Sequence, residues 1–310
     1  MATTVTVAIP VKDGAATLER TLDAIAAQRP PDGTDVELMI CDSGSRDGSV
    51  ALARAHGAEV LRIAPTEFSH GATRNLLMER SSGAHVAFLT QDSAPAGEDW
   101  LATLLGAFEL AHDVALAFGP YLPNPGASLM VARELTSWFQ SFSPDGTPRI
   151  DRLAPDERGI AARALLGARG YFTDANGIVA RAAWESVPYR AIAYAEDHAL
   201  AHDMLRAGYA KAYVPHAGVL HSHEYSTWGW LRRSYDEARA LRAVYGYVEP
   251  GDPRTVALKL RGLVGVDWRW SVAERSPGLL ARSFVHHSAR LTGSLLGSRR
   301  GALAGRDSSG

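Results

Sequence analysis

Apolar, β-branched runs alternate with amphipathic segments through the first 120 residues of this 310-residue chain. The alternation is typical of βαβ units, in which helices cross between the strands of a mainly parallel sheet. It predicts strands at residues 5–10, 36–41, 59–63, 85–89 and 114–118, and helices at residues 15–28, 49–55, 71–80 and 99–111. Ligands of such sheets bind beyond the carboxyl ends of the strands, so the loops after Ile9, Ile40, Ile63 and Leu89 are expected to carry the chemistry.

The alternation stops after residue 122. A helix is predicted over residues 128–142, and the Pro-, Gly- and Arg-rich stretch that follows it is predicted to be an irregular loop as far as residue 170. A second α/β segment is predicted over residues 171–219. Two amphipathic stretches, 228–245 and 277–296, predict C-terminal helices.

This change of pattern predicts an α/β domain over residues 1–225, made of halves 1–120 and 121–225, and a helical extension over residues 226–310. The charge follows the same division. Up to residue 224 the chain has 18 Lys and Arg against 27 Asp and Glu, a balance of −9, and the remainder has 14 against 7, a balance of +7. A basic extension can contact an anionic membrane, a nucleic acid or the acidic face of the protein itself, or it can be a solvated surface.

Composition limits the class of protein. The chain is 46% hydrophobic and 21% charged, which indicates a globular fold. Its single cysteine, Cys41, cannot form an intramolecular disulfide, and no run reaches the roughly 18 to 20 apolar residues of a membrane-spanning helix. The amino terminus lacks a basic stretch followed by an apolar core, so we expect a strand there and not a signal peptide.

Carboxylates follow two of the predicted strands. Asp42 lies at a strand end in CDSGSRDGS, where its carboxylate can accept hydrogen bonds from a ribose or a base, or can cap the turn. Asp92, in LTQDSAP, follows another strand. Its hard oxygen can bind a divalent cation together with nucleotide phosphates, or it can cap the next helix.

Two later segments add titratable groups. Glu196 and Asp197 begin a predicted helix in AEDHALAHDMLRAGY, where the helix dipole favours carboxylates and keeps them ionised, as a general base must be. His221 and His223 lie on the same side of an extended chain, and either they are structural or one of them completes a metal site. A zinc hydrolase is the weaker alternative, because no HExxH or CxxC motif accompanies them.

The segments IPVKDGAATLERTLDAI, CDSGSRDGS, LTQDSAP and AEDHALAHDMLRAGY occur in an order that resembles the inverting glycosyltransferases of family two. The resemblance covers residues 4–225. It implies the α/β GT-A fold, in which helices flank a mixed, mainly parallel sheet, here with a helical C-terminal extension. FSHGATRN, TQDS and HSHEYS are similar to the bacterial rhamnosyltransferase subgroup, whose members typically use dTDP-L-rhamnose to build surface polysaccharide.

The resemblance implies a donor pocket that includes a metal ion. It assigns nucleotide-sugar binding to Pro10, Lys12, Asp13, Asp42, Ser43, His70, Gly71, Arg74, Asn75, Gln91 and Asp92. Asp42 would read the base or its ribose. Asp92 matches the last acid of the family's metal-binding DxD motif, but Thr90 and Gln91 precede it, so only one carboxylate is present. Asp92 and His221 would hold Mg²⁺ or Mn²⁺.

The resemblance also implies an acceptor side. It assigns acceptor binding to Asp174, Asn176, Gly177, Arg232 and Arg233. Asp197 matches the catalytic base, with Glu196 beside it. Asp197 would deprotonate an acceptor hydroxyl that attacks the anomeric carbon opposite the leaving nucleoside diphosphate, which inverts the configuration, while the cation neutralises charge on the diphosphate.

Alternatives remain open. The donor can be UDP-galactofuranose, UDP-glucose or GDP-mannose, or the protein can be an inactive carbohydrate-binding or scaffold protein on the same fold. A dinucleotide-binding oxidoreductase shares the early pattern, but no GxGxxG follows the first strand.

The expected partners are the donor and a glycan or lipid-linked glycan, with contact to an anionic membrane, no nucleic acid, and a homo-oligomer through the C-terminal helices. The expected location is the cytoplasm, peripheral on the inner face of the plasma membrane.

Overall fold

The computed structural model describes residues 3–192, 194–276 and 278–300. The strands are β1 (Thr3–Val11), β2 (Thr34–Asp42), β3 (Glu59–Arg62), β4 (His85–Leu89), β5 (Ala94–Pro95), β6 (Val114–Phe118), β7 (Tyr121–Leu122), β8 (Arg149–Asp151), β9 (Asn176–Ala180), β10 (Ala210–Tyr213) and β11 (Val219–Leu220). The α-helices are α1 (Ala15–Ala26), α2 (Ser49–Ala55), α3 (His70–Arg80), α4 (Trp100–Gly106), α5 (Leu129–Gln140), α6 (Arg181–Ser186), α7 (Glu196–Ala207), α8 (Thr227–Tyr245), α9 (Pro253–Ala273) and α10 (Gly278–Gly297).

The main sheet has the strand order β3-β2-β1-β4-β9-β6-β10-β8. Strand β1 pairs in parallel with β2 and with β4, and β2 pairs in parallel with β3. Strand β6 pairs in parallel with β10. Strand β9 is inserted antiparallel between β4 and β6, and β8 is an antiparallel edge. The predicted mixed, mainly parallel α/β sheet is therefore confirmed, and all five predicted strands occur within two residues of their predicted ends.

Helices cover both faces of this sheet, and apolar side chains fill both interfaces. Helix α1 buries Leu18, Leu22 and Ile25, the face that its periodicity predicts. On the opposite face Phe88 and Phe118 belong to a second apolar cluster. Because both faces are covered, polar side chains can gather only at the edges of the sheet, where the loops leave the strands.

A second, small sheet has the order β5-β11-β7. Strand β11 pairs antiparallel with β5, Leu220 opposite Ala94, and parallel with β7. Each of these strands has two residues, which is too short to produce an alternating pattern in the sequence. The small sheet holds the segment after β11 beside the loop that follows β4.

The rest of the chain differs from the prediction in two places. The stretch predicted as one irregular loop contains β8 and two 3₁₀ helices, Pro155–Gly159 and Ala162–Leu165. Helix α9 was not predicted, although Asp252 caps it by accepting a hydrogen bond from the Thr255 amide at 2.9 Å, with Pro253 at its first position. Helices α8 and α10 agree with the prediction, except that Pro277 lies outside the described residues.

The chain divides into two units. The first contains Met1–Gly126, Leu135–Ile160 and Leu165–Ser222, and the second contains Ala127–Glu134, Ala161–Ala164 and His223–Gly310. The second unit thus takes two short segments from the part of the chain predicted to be wholly α/β. Within the described residues, no helix combines the length and the apolar character needed to cross a membrane.

Candidate active site

The loops after β1 and β2 are joined by hydrogen bonds at the carboxyl edge of the sheet. The Lys12 ammonium donates to the Gly44 carbonyl at 2.9 Å, and the Asp13 amide donates to Ser45 Oγ at 2.9 Å. The Arg46 amide donates to Asp13 Oδ1 at 2.7 Å, and Asp13 has a left-handed φ of 45°. Non-glycine residues rarely adopt this backbone, so the two loops hold Asp13 in a strained conformation at the predicted nucleotide pocket.

Asp47 joins the first turns of two helices below these loops. Its Oδ2 accepts a hydrogen bond from the Ala15 amide at 2.9 Å, and its Oδ1 accepts one from the Ser49 amide at 3.0 Å. Hydrogen bonds from Ser49, and then from Ala15, lower the pKa of Asp47. The charged carboxylate therefore stabilises the amino ends of α1 and α2 together and fixes the loops between them.

Asp42 is turned into its own loop. Its side chain accepts hydrogen bonds from the Gly44 amide at 3.3 Å and the Ser45 amide at 3.1 Å, and the residue is 2% exposed. This is the turn-capping role that the sequence left open, and base recognition stays a prediction. Ser43 is also buried, and its hydroxyl supports the loop by donating to the Val11 carbonyl at 3.2 Å; its nucleotide contact stays a prediction as well.

Gln91 links the loop after β4 to the loop after β1. Its Oε1 accepts a hydrogen bond from the Lys12 amide at 2.9 Å, and its carbonyl accepts one from the Thr21 hydroxyl at 3.2 Å. A Cβ at Gly14 would overlap the Gln91 amide group, so a side chain at that position would displace the end of Gln91 from the Lys12 amide. The side-chain oxygen of Gln91 is thus used to align two loops of the predicted donor pocket.

Asp92 and His221 face each other where the small sheet begins. Asp92 Oδ1 lies 3.5 Å from His221 Nδ1 and accepts a hydrogen bond from the Thr90 hydroxyl at 2.7 Å. Both side chains are mostly buried, because the β5–β11 pairing brings them together from distant parts of the chain. Two ligand atoms at this separation fit one divalent cation bound to each at about 2.1 Å.

A buried ion-pair cluster lies at the start of α7. Arg74 Nε is 2.6 Å from Asp174 Oδ2, and Arg74 Nη1 is 2.9 Å from Glu196 Oε1. The Tyr189 hydroxyl donates to Asp174 Oδ1 at 2.7 Å. Burial raises the pKa of Asp174 to about 7 and that of Glu196 to about 8, and the Arg74 charge opposes both shifts. The sequence did not indicate Tyr189, which no motif marks.

Asp197 is the more exposed member of the Glu196–Asp197 pair. It lies in the first turn of α7, is half-buried, and accepts hydrogen bonds from the His198 amide at 2.8 Å and the Asp174 amide at 3.4 Å. The preceding residue, Ala195, has a left-handed φ of 60°, which is costly for alanine. This backbone buries Glu196 and leaves the Asp197 carboxylate accessible, as a general base has to be.

The metal-ligand pair and the carboxylate cluster are connected through one loop. The Tyr121 hydroxyl hydrogen-bonds to the hydroxyl of Thr173, the residue before Asp174. The Tyr121 ring packs edge-on against His221, with the ring centroids 4.8 Å apart. The cation ligands and the candidate base therefore share one edge of the first unit.

Two residues that were predicted to contact ligands make hydrogen bonds within the protein. Asn176 is fully buried: its Oδ1 accepts from Trp100 Nε1 at 2.7 Å, and its amide nitrogen donates to backbone carbonyls. Asn75 Oδ1 accepts from Trp184 Nε1 at 2.8 Å, and Asn75 Nδ2 donates to the Tyr189 carbonyl at 2.9 Å. These hydrogen bonds support the site from inside the protein, and the predicted acceptor and donor contacts of the two amides stay predictions.

The glycines of the predicted site permit close backbone packing. A Cβ at Gly71 would overlap the Arg190 carbonyl oxygen, and one at Gly177 would overlap the Thr173 carbonyl oxygen.

His70 is partly exposed at the start of α3, and its Nδ1 lies 4.0 Å from Glu196 Oε1. His70 therefore remains a candidate ligand contact.

Other predicted residues keep their assignments as predictions. Pro10 is half-buried at the end of β1, and Arg232 and Arg233 lie on α8 in the second unit. Arg74 is buried with its guanidinium paired to two carboxylates, so it supports the base side of the site, and its contact with the donor stays a prediction.

Comparison with known proteins defines the class. Residues 6–161, half of the chain, match the family model for Glycosyl transferase family 2. The chain belongs to this family, and its enzyme class is that of the nucleotide-sugar-dependent glycosyltransferases. The family assignment also removes the dinucleotide-binding oxidoreductase.

Within that class the chain is similar to O-antigen rhamnosyltransferases. It is 30% identical over 236 residues to the O-antigen chain rhamnosyltransferase RfbN of Salmonella typhimurium, covering 75% of this chain and 70% of that protein. It is 29% identical over 204 residues to WbaN of Salmonella anatum, another O-antigen chain rhamnosyltransferase, covering 64% of this chain and 61% of that protein. The predicted resemblance to the rhamnosyltransferase subgroup is thereby confirmed.

Solved structures confirm the fold. A mannosyltransferase from Pyrobaculum calidifontis in complex with GDP-Man and Mn²⁺ superposes with a TM-score of 0.61 at 14% identity, over 94% of this chain and 86% of that one. At this identity the likeness concerns the fold alone. It confirms the GT-A arrangement that the sequence motifs imply.

Proposed function

We propose that the protein is an inverting rhamnosyltransferase that moves L-rhamnose from dTDP-L-rhamnose to a hydroxyl of a glycan or lipid-linked glycan in surface polysaccharide synthesis. The observation that carries the reaction type is the accessible Asp197 carboxylate on the same edge as the Asp92–His221 pair. The similarity to two O-antigen rhamnosyltransferases supports the sugar.

Asp197 is the proposed general base. It takes the proton of the acceptor hydroxyl, whose oxygen then attacks the anomeric carbon from the face opposite the nucleoside diphosphate. The Asp174 amide and the His198 amide orient its carboxylate by donating hydrogen bonds to it. The loops held by Lys12 and Asp13 bind the nucleotide, so donor and base meet at one edge of the sheet.

Asp92 and His221 are the proposed ligands of a divalent cation. A bound cation supplies Lewis-acid stabilisation of the charge that develops on the leaving diphosphate. The donor set of this pair is one carboxylate oxygen and one imidazole nitrogen, and the exposed His223 offers a further ligand atom within 4.8 Å of both. Mg²⁺ strongly prefers oxygen ligands and Mn²⁺ accepts nitrogen more readily, so this pair favours Mn²⁺. A Mn²⁺ ion is also present in the solved complex of the mannosyltransferase.

A donor panel tests the proposal. Purified protein is melted with dTDP-L-rhamnose, UDP-glucose, UDP-galactofuranose and GDP-mannose, each with Mn²⁺, with Mg²⁺ or with EDTA, because a ligand of the native state raises the melting temperature. We expect the largest rise with dTDP-L-rhamnose and Mn²⁺, and its loss with EDTA. A preference for a UDP- or GDP-sugar would overturn the rhamnosyl donor, and no response to any donor would favour the inactive scaffold.

A lipid-linked acceptor would place the enzyme at a membrane. Peripheral attachment to the cytoplasmic face of the plasma membrane is therefore part of the proposal. The basic balance after residue 224 supports this attachment, because anionic lipids attract Lys and Arg.

A further inference from the structure

Helix α9 is the least buried long helix of the second unit. Of its 21 residues only Asp267 and Ser271 are buried, and both are polar. Leu258, Trp268 and Val272 are 57%, 54% and 64% exposed. A helix of a globular protein normally buries its apolar stripe, so an apolar stripe this exposed indicates an interaction surface.

Three exposed apolar residues of α9 share one side of the helix with two arginines. Arg254, Leu258, Arg261, Trp268 and Val272 follow one another at intervals of three, four or seven residues, which places them on one side of a helix. We call this side, with the exposed Arg269 next to Trp268 and the neighbouring Phe284 on α10, the α9 face. Phe284 is 56% exposed and lines, with Arg261 and Trp268, a groove of about 830 Å³ between α9 and α10.

The charged side chains of the α9 face are all positive. Between Pro253 and Ala273 the cations are Arg254, Lys259, Arg261 and Arg269, and the single acid is Asp267. Asp267 is fully buried, where it pairs with Arg133 and lies 2.8 Å from His287 Nε2. The solvent side of the helix therefore presents arginines among apolar side chains without a carboxylate from α9 itself.

We infer that the α9 face docks on an anionic lipid surface. Trp268, Phe284 and Leu258 insert at the boundary between headgroups and acyl chains, where aromatic and aliphatic side chains are favoured. Arg261 and Arg269 bury their stems and extend their guanidinium groups to lipid phosphates. A second copy of the chain fits less well, because a twofold contact would bring the same arginines together.

The α9 face contains none of the residues proposed for sugar transfer, so its binding to lipid can be measured without transferase activity. The test is sedimentation of the full chain with vesicles of phosphatidylcholine alone or of phosphatidylcholine with phosphatidylglycerol, at low and at high salt. We expect sedimentation with the anionic vesicles only, and release at high salt, because salt screens exposed charges.

Two variants locate the binding surface. In Arg261→Glu/Arg269→Glu each arginine lost weakens vesicle binding by about fivefold, so the double variant falls by more than 20-fold. The matched control, Arg20→Glu/Arg54→Glu, changes the net charge equally at exposed positions of the first unit and should bind as the wild type does. Trp268→Ala should weaken binding to the anionic vesicles without altering the salt effect.

Three results would overturn the inference: equal loss in both double variants, equal sedimentation with both kinds of vesicle, or a dimer in sedimentation velocity that Trp268→Ala converts to a monomer. The last result would assign the face to a second copy of the chain. Donor-dependent melting, measured on the same variants, keeps a failure of membrane docking separate from a failure of the transferase proposal.

Discussion

Replacement of Arg74 by methionine would remove the only cation in contact with two buried carboxylates, Asp174 and Glu196, among the described residues. At 2.9 Å and an effective dielectric constant of about 20, one such pair attracts by on the order of 6 kcal/mol before desolvation is counted. Loss of one partner of a buried pair costs about 3–5 kcal/mol in practice. In a protein of this size that corresponds to a fall in melting temperature of roughly 6 to 20 °C.

The loss depends on pH with a definite sign. In the folded protein burial raises the pKa of Asp174 to about 7 and of Glu196 to about 8, above the ordinary 3.8 and 4.5. The folded state therefore binds more protons than the unfolded state between about pH 4 and pH 8, and stability falls as pH rises through this window. Without Arg74 both carboxyls resist ionisation further, so the deficit should grow from pH 5 to pH 8.

Calorimetric melting of wild type, Arg74→Met and the control Arg80→Met at pH 5 and pH 8 measures this effect. Arg80 lies on the same helix but is exposed, so its variant should melt within about 2 °C of wild type. The double variant Arg74→Met/Glu196→Gln should lose less than the two single changes together, because one stranded carboxylate is gone. An Arg74→Met protein that melts like wild type at pH 8 would refute the reasoning.

The remaining predictions concern activity and pH. Asp197→Asn should lower kcat by about 10²- to 10⁴-fold with little change in donor affinity. The control Asp32→Asn, a change in an exposed loop, should leave both kcat and donor affinity unaltered. Substantial residual transfer by the Asp197→Asn variant would exclude Asp197 as the base. Asp42→Ala should weaken donor binding in calorimetric titration, since the loop cap is lost even if the base contact is not made. Glu196→Gln should flatten the dependence of melting temperature on pH between 5 and 8, and an unchanged slope would show that another group titrates there.

The parallel core was predictable because its signals are local. Strands β1, β2 and β4 each contain an apolar run bounded by polar turns, and α1 repeats Leu18, Leu22 and Ile25 at helical spacing. Strands β5, β7 and β11 were not predictable, because two-residue strands form only when partners far apart in sequence meet. Helix α9 was missed for another reason: its apolar residues lie on most sides of the helix, and only the Asp252–Pro253 cap marked its start.

The sequence predicted which loops form the site better than it predicted the role of each residue in them. Strand ends locate Asp42 and Asp92 at one edge because parallel strands share their direction, whereas Asp197 lies at the start of α7 and is marked only by its motif. Burial decides the roles, and burial depends on tertiary contacts that a motif does not contain. Asn176 and Arg74 occur in motifs that suggest ligand contact, yet both are buried, bonded to Trp100 in one case and to two carboxylates in the other.

The buried charges and the strained backbone at the start of α7 destabilise the fold, and this cost bears on whether the site is catalytic. Asp174 and Glu196 pair with a single guanidinium, and Asp197 accepts a hydrogen bond from the Asp174 amide beside them. Apolar replacements of a buried ion cluster are often neutral or stabilising. Ala195 adds a left-handed backbone that costs on the order of 1–3 kcal/mol. An inert scaffold on the same fold has no use for this strain, whereas a transferase uses it to expose one carboxylate and bury its neighbour. The combination of strain and crowded charge therefore favours a catalytic role for the start of α7 over the inactive alternative.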